Sequence, residues 1–97
     1  MPFHLELPAA SKKAGWKVKI RDKERVEPPH VTVLFGPKTW RVNLRTREFM
    51  EEGHSWNQLD PVVAESILDH WDVLCAEWDR MYPDNPVASP VDDEDAG

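Results

Sequence analysis

The hydrophobic period of this chain changes once, and that change limits its fold more than any other feature. Between Trp16 and Arg45 apolar residues recur at every second position; after Asp60 they recur every three to four. The first pattern belongs to strands buried on one face, the second to an amphipathic helix. Trp16, Val18 and Ile20 point one way, and Lys17, Lys19, Arg21 and Lys23 the other. His30–Phe35 repeats the alternation, with Val31, Val33 and Phe35 opposite His30, Thr32 and Leu34. Gly36-Pro37-Lys38-Thr39 predicts a hairpin connection. Thr39–Arg45 then places Trp40, Val42 and Leu44 inward and Arg41, Asn43 and Arg45 outward. Short connections make an antiparallel meander the simplest arrangement of these three strands.

Asp60-Pro61 is a helix start, an Asp N-cap followed by Pro at the first helical position. The helix is predicted to run to about Tyr82, where Pro83 stops it. Val63, Ala64, Ile67, Leu68, Trp71, Leu74, Cys75, Trp78, Met81 and Tyr82 fall on one broad face, and Glu65, Asp69, Asp72 and Asp79 on the other. Ala9–Ala14 can form a short helix closed by Gly15. The expected fold is α+β: a three-stranded antiparallel meander packed against one long C-terminal helix, with that short N-terminal helix ahead of it. Residues 1–15 are expected as an N-terminal lead-in, irregular as far as Pro8, and 16–82 as a single α+β domain. Residues 83–97, with Pro86, Pro90 and Asp92-Asp93-Glu94-Asp95, are expected as a disordered acidic tail. The chain has 97 residues, which suits one core, and its five Trp supply large buried area.

Charge is sorted along the same boundary. Residues 1–50 carry 11 Lys and Arg against 5 Asp and Glu; residues 51–97 carry one Arg against 13 acids; the overall formal charge is −6. Such asymmetry bears on partners rather than on fold. The N-terminal residues lack a basic segment followed by a long apolar run, so no signal peptide is expected, and no stretch is apolar enough to span a bilayer. The lone Cys75 excludes an intramolecular disulfide. These features lead to the expectation of a cytoplasmic protein with no membrane contact.

Two surfaces and one side chain could carry function. Lys17, Lys19, Arg21, Lys23, Arg41, Asn43 and Arg45 would share the open side of the sheet, a donor array suited to an anion or to nucleic acid, or a solvated face that guards edge strands. His30 follows Pro28-Pro29 beside those cations, where an imidazole could act as general acid or base in ribose–phosphate cleavage. Glu65, Asp69, Asp72 and Asp79 would form an acidic face for a protein partner, or a solvated helix surface. His4, His30, His54 and His70 have no metal-ligand spacing, so neither metal nor cofactor is expected.

From Glu27-Pro28-Pro29-His30-Val31-Thr32-Val33 onward, the chain resembles a family of small, mostly bacterial proteins catalogued as domain of unknown function 4160. The resemblance continues through Gly36, Trp40–Leu44, Thr46-Arg47-Glu48-Phe49-Met50, Gly53, Trp71 and Trp78, and covers about Lys17–Tyr82. Thr32 stands where members usually have a second His, and Glu27 where they have Asn. The resemblance implies strands followed by a helix, and a toxin–antitoxin-type setting. A looser similarity joins the chain to HicA-type mRNA interferase toxins, through Gly15-Trp16 opening a strand and His30 in the next. The Gly-Ser-His-His run of those toxins is absent.

Three functions follow as expectations. The leading one is a small non-enzymatic interaction protein of a toxin–antitoxin-like or phage-defence-like system, binding a protein partner by charge complementarity. The second is an RNA-binding or RNA-cleaving toxin of ribonuclease type that uses the basic sheet face and His30. The third is an acidic nucleic-acid mimic that inhibits a host nucleic-acid enzyme.

Overall fold

Phe3–His4 (β1), Trp16–Ile20 (β2), His30–Phe35 (β3) and Lys38–Asn43 (β4) form one antiparallel sheet, with the strands side by side in chain order. Helix α1 spans Ala9–Ala14, α2 Pro61–Asp69 and α3 Trp71–Met81, and a single 3-10 turn covers Trp56–Gln58. The architecture is a computed structural model that describes residues 3–21 and 28–88.

The sheet corrects the expected three-stranded meander: it has four strands. The lead-in supplies the extra one, with Phe3 opposite Ile20 and His4 opposite Lys19. The Leu5 N–H continues the pairing to the Val18 carbonyl at 2.9 Å. Leu5 and Leu7 are then buried with the core. The domain therefore begins well before Trp16. Helix α1 follows and ends at Gly15, whose φ of 110° is open to glycine at little cost.

The predicted C-terminal helix is also corrected, because it is two helices. His70 is at once the C-cap of α2 and the N-cap of α3, with φ −108° and ψ 25°. Its Nδ1 faces the Ser66 carbonyl at 2.8 Å, so that nitrogen carries the proton and donates. A side chain that bonds the carbonyl four residues back competes with the helix ladder. The start of α2 is as the residues dictate: Asp60 Oδ1 accepts from the Val62 N–H at 2.8 Å, behind Pro61.

The core lies on one side of the sheet. Val18, Ile20, Val31, Val33 and Val42 face Val63, Ile67, Leu74 and Trp78, and all are buried. At one end Trp16 stacks on Phe35, with ring centroids 4.2 Å apart, and meets Trp40 at 5.7 Å. Cys75 is half-buried, and desolvation is the main reason its thiol pKa is raised; Asp79 and Asp72 add to it.

Residues 83–88, where the tail was expected to begin, wrap back against the domain. The Trp78 indole N–H donates to the Asn85 carbonyl at 2.7 Å, and the Val87 N–H to Asp79 Oδ1 at 2.8 Å. Arg45 donates to the carbonyls of Val87 and Pro86, each at 2.8 Å. The acidic run Asp92–Asp95 lies outside the described residues.

Candidate functional site

The register places Lys17, Lys19 and Arg41 on the side of the sheet away from the core, while Arg21 and Arg45 lie just beyond the ends of β2 and β4. Lys19 pairs with Thr32 and Thr32 with Arg41, so these three residues form one row on the side away from the core. Lys17, Leu34 and Thr39 form the next row. Thr32 is only 1% exposed because its short side chain stands between two long ones. The array is nevertheless weaker than seven donors. Arg41 pairs with Glu51, with Nε 3.1 Å from Oε2. Arg45 is held by the backbone at 86 and 87. Asn43 Oδ1 accepts from the N–H groups of Arg45 and Thr46, closing the turn after β4. Lys17 and Arg21 are exposed and Lys19 half-exposed; Lys23 lies outside the described residues.

The Glu51 carboxyl is pulled below its ordinary pKa, first by its hydrogen bond with Arg41; burial opposes the shift and the Arg41 charge assists it. A depressed folded-state pKa contributes stability that is present above the ordinary Glu pKa and lost as pH falls through the folded value. Both partners are about one-third exposed or more, which keeps the effect small. Between about pH 5 and pH 3, the urea midpoint of wild type is expected to fall further than that of Glu51→Gln. Parallel curves for the two proteins would show that this ion pair adds nothing.

His30, the candidate general acid or base, lies inside the domain. The residue is 1% exposed. Its Nδ1 donates to the Pro28 carbonyl at 2.9 Å, and its ring lies 5.6 Å from the ring of buried Trp78. A general base must come within hydrogen-bond reach of the proton it takes. In this conformation no external ribose can approach the His30 ring.

The outer surface of the helix pair is different in kind. Glu65, Asp69 and Asp72 are exposed there, as the periodicity predicted. Asp79 is not a free acid of that face, because it is half-buried and caps the Val87 N–H. Leu68, expected in the apolar stripe, is instead 41% exposed. Val62 and Val73 are 46% and 42% exposed, and these three are the large hydrophobic side chains left open among the described residues. Leu68 lies about 100° around the helix from buried Ile67, at the margin of the stripe, so the broad apolar face drawn from the residues reached too far. Val62 and Val73 were legible as apolar residues lying outside the stripe.

Among the described residues, no group of three or more His, Cys, Asp or Glu side chains could hold a metal ion. No helix among them is long and apolar enough to cross a membrane. Comparison of the chain with protein-family models, with curated proteins and with solved structures gave no match, so what it does must be read from its own residues.

Proposed function

We propose that this chain is a non-enzymatic interaction protein that binds a basic protein partner through the outer surface of α2 and α3. The observation that carries the reading is a coincidence along the chain. The large hydrophobics exposed among the described residues, Val62, Leu68 and Val73, alternate along α2 and α3 with the exposed acids Glu65, Asp69 and Asp72. Apolar side chains supply affinity once covered, while the acids steer a basic surface and set its register. A merely solvated helix face needs the acids but not the valines and leucine. The burial of His30 supports a binding role over a catalytic one. A tight protein pair also suits the toxin–antitoxin-type setting that the family resemblance implies.

The test uses the tagged full chain in extract of its native host. Wild type is expected to retain one basic protein in near-stoichiometric amount. Leu68→Arg combined with Asp69→Lys and Asp72→Lys should release it, whereas Lys17→Glu with Lys19→Glu should not. Loss confined to the sheet variant would overturn the reading. Recovery of nucleic acid in place of protein would also overturn it and would favour the basic sheet face.

A further inference from the structure

Among the described residues, the outer edge of β4 is paired along only part of its length. The Asn43 N–H donates to the Glu48 carbonyl and the Met50 N–H to the Arg41 carbonyl, both at 2.8 Å. Residues 48–50 thus run antiparallel beside Arg41 and Asn43, with Phe49 bridged to Val42. In an antiparallel ladder, alternate residues turn both peptide groups to the same side. Arg41 and Asn43 turn theirs outward, and so must Thr39. Among the described residues no backbone hydrogen bond joins Thr39 to the covering segment, which continues through Glu51–Gly53 to the turn at Trp56–Gln58.

A cleft of about 500 Å³ lies there, lined by Lys38, Thr39, Trp40, His54 and Gln58. Its volume is in the range of small-ligand sites. The lining offers an ammonium, a hydroxyl, an imidazole and an amide, and no carboxylate. Gln58 is fixed as a wall: its Oε1 accepts from the Trp40 indole at 3.0 Å and its Nε2 donates to the Gly53 carbonyl at 2.8 Å. The His54 ring sits 6.2 Å from that of Trp40, and its Nδ1 is buried without a hydrogen-bond partner among the described residues. Such an atom marks a place where the chain does not use all its polar groups internally.

We propose that this cleft binds the C-terminal end of an extended peptide, added as a short strand against Thr39 with its carboxylate on Lys38. Chain direction carries the argument. Residues 48–50 run along β4 from Asn43 toward Arg41, and a peptide continuing the same lane runs on toward Lys38. Its last residue therefore arrives at the ammonium with a free carboxylate. The Thr39 N–H and carbonyl pair with the backbone of the residue before the last, and the last residue, opposite Lys38, turns its side chain to the face that holds Trp40 and His54. Strand addition at an open edge with capture of a terminal carboxylate is an established way to bind peptides. The surface is separate from the outer face of α2 and α3, so either assignment can fail alone.

The experiment is an NMR titration of the ¹⁵N-labelled full chain with three probes: N-acetyl-Val-Val as the free acid, the same peptide as its C-terminal amide, and inorganic phosphate. The acid is expected to shift the Thr39 amide and the His54 ring signals saturably. The amide should bind at least ~10-fold more weakly, since it lacks the charge that Lys38 reads. Lys38→Glu should weaken the acid by a similar ~10-fold, and Lys17→Glu, two strands away on β2, should not. Equal binding of acid and amide would overturn the proposal, as would a response to phosphate alone or no shift at Thr39.

Discussion

Replacing Trp78 with Ala is expected to cost about 3–5 kcal/mol, which would leave the domain largely unfolded at 37 °C. Trp78 is 0% exposed and joins three parts of the chain. Its ring lies 4.2 Å from that of Tyr82 and 5.6 Å from that of His30. Its indole N–H donates to the Asn85 carbonyl at 2.7 Å. Truncation therefore leaves a cavity between α3 and the sheet and removes the anchor of residues 83–88. A total stability of about 5–15 kcal/mol is usual for a domain, and one of this size sits at the lower end. Urea unfolding followed by far-ultraviolet circular dichroism measures the loss. Trp78→Phe keeps an aromatic ring and removes the donor and part of the buried volume, so it should cost less, about 1–3 kcal/mol. A midpoint for Trp78→Ala within experimental error of wild type would mean that α3 does not close the core.

Ile67→Ala is the second large effect, about 2–5 kcal/mol. Ile67 is 0% exposed and belongs to α2, on the other side of the break at His70 from Trp78. The value tests whether both halves of the helical region support one core. A helix attached to the domain only through its neighbour would tolerate the change within about 0.5 kcal/mol, as surface substitutions do. The same denaturation measurement decides it. Leu68→Ala, one residue away, is the internal control, because its side chain is 41% exposed and little is lost by shortening it.

These two substitutions also show how far the residues alone reach. The alternation of Trp16, Val18 and Ile20 with lysines named their buried side correctly, and the register of Lys19, Thr32 and Arg41 follows from it. Alternation is a local property of extended backbone and survives whatever packs on the strand. The first strand was missed although Phe3, Leu5 and Leu7 also alternate. Only two of its residues pair as a strand, and so short a run carries little periodic signal. The break at His70 left no proline or glycine to mark it, and the stripe from Val63 to Met81 reads as continuous. A local hydrogen bond from the His70 ring to Ser66 goes with the break, and side-chain preferences of that kind are too weak to read in advance.

The candidate site divides the same way. That α2 and α3 carry acids opposite their core residues was legible, because a helix sorts side chains by angle alone. That His30 lies against Trp78, that Asp79 caps Val87, and that Arg41 and Arg45 have partners in distant segments was not. Each of those contacts joins residues separated by a turn or more of chain, and nothing in a residue's own neighbourhood specifies what lies across from it.

Local periodicity thus determined, from the residues alone, which side chains turn inward and the α+β character of the domain. The number of strands, the division of the helix and the fate of each charge were decided only when distant segments met. Burial and pairing depend on what occupies the opposite surface, and a linear pattern holds no record of that.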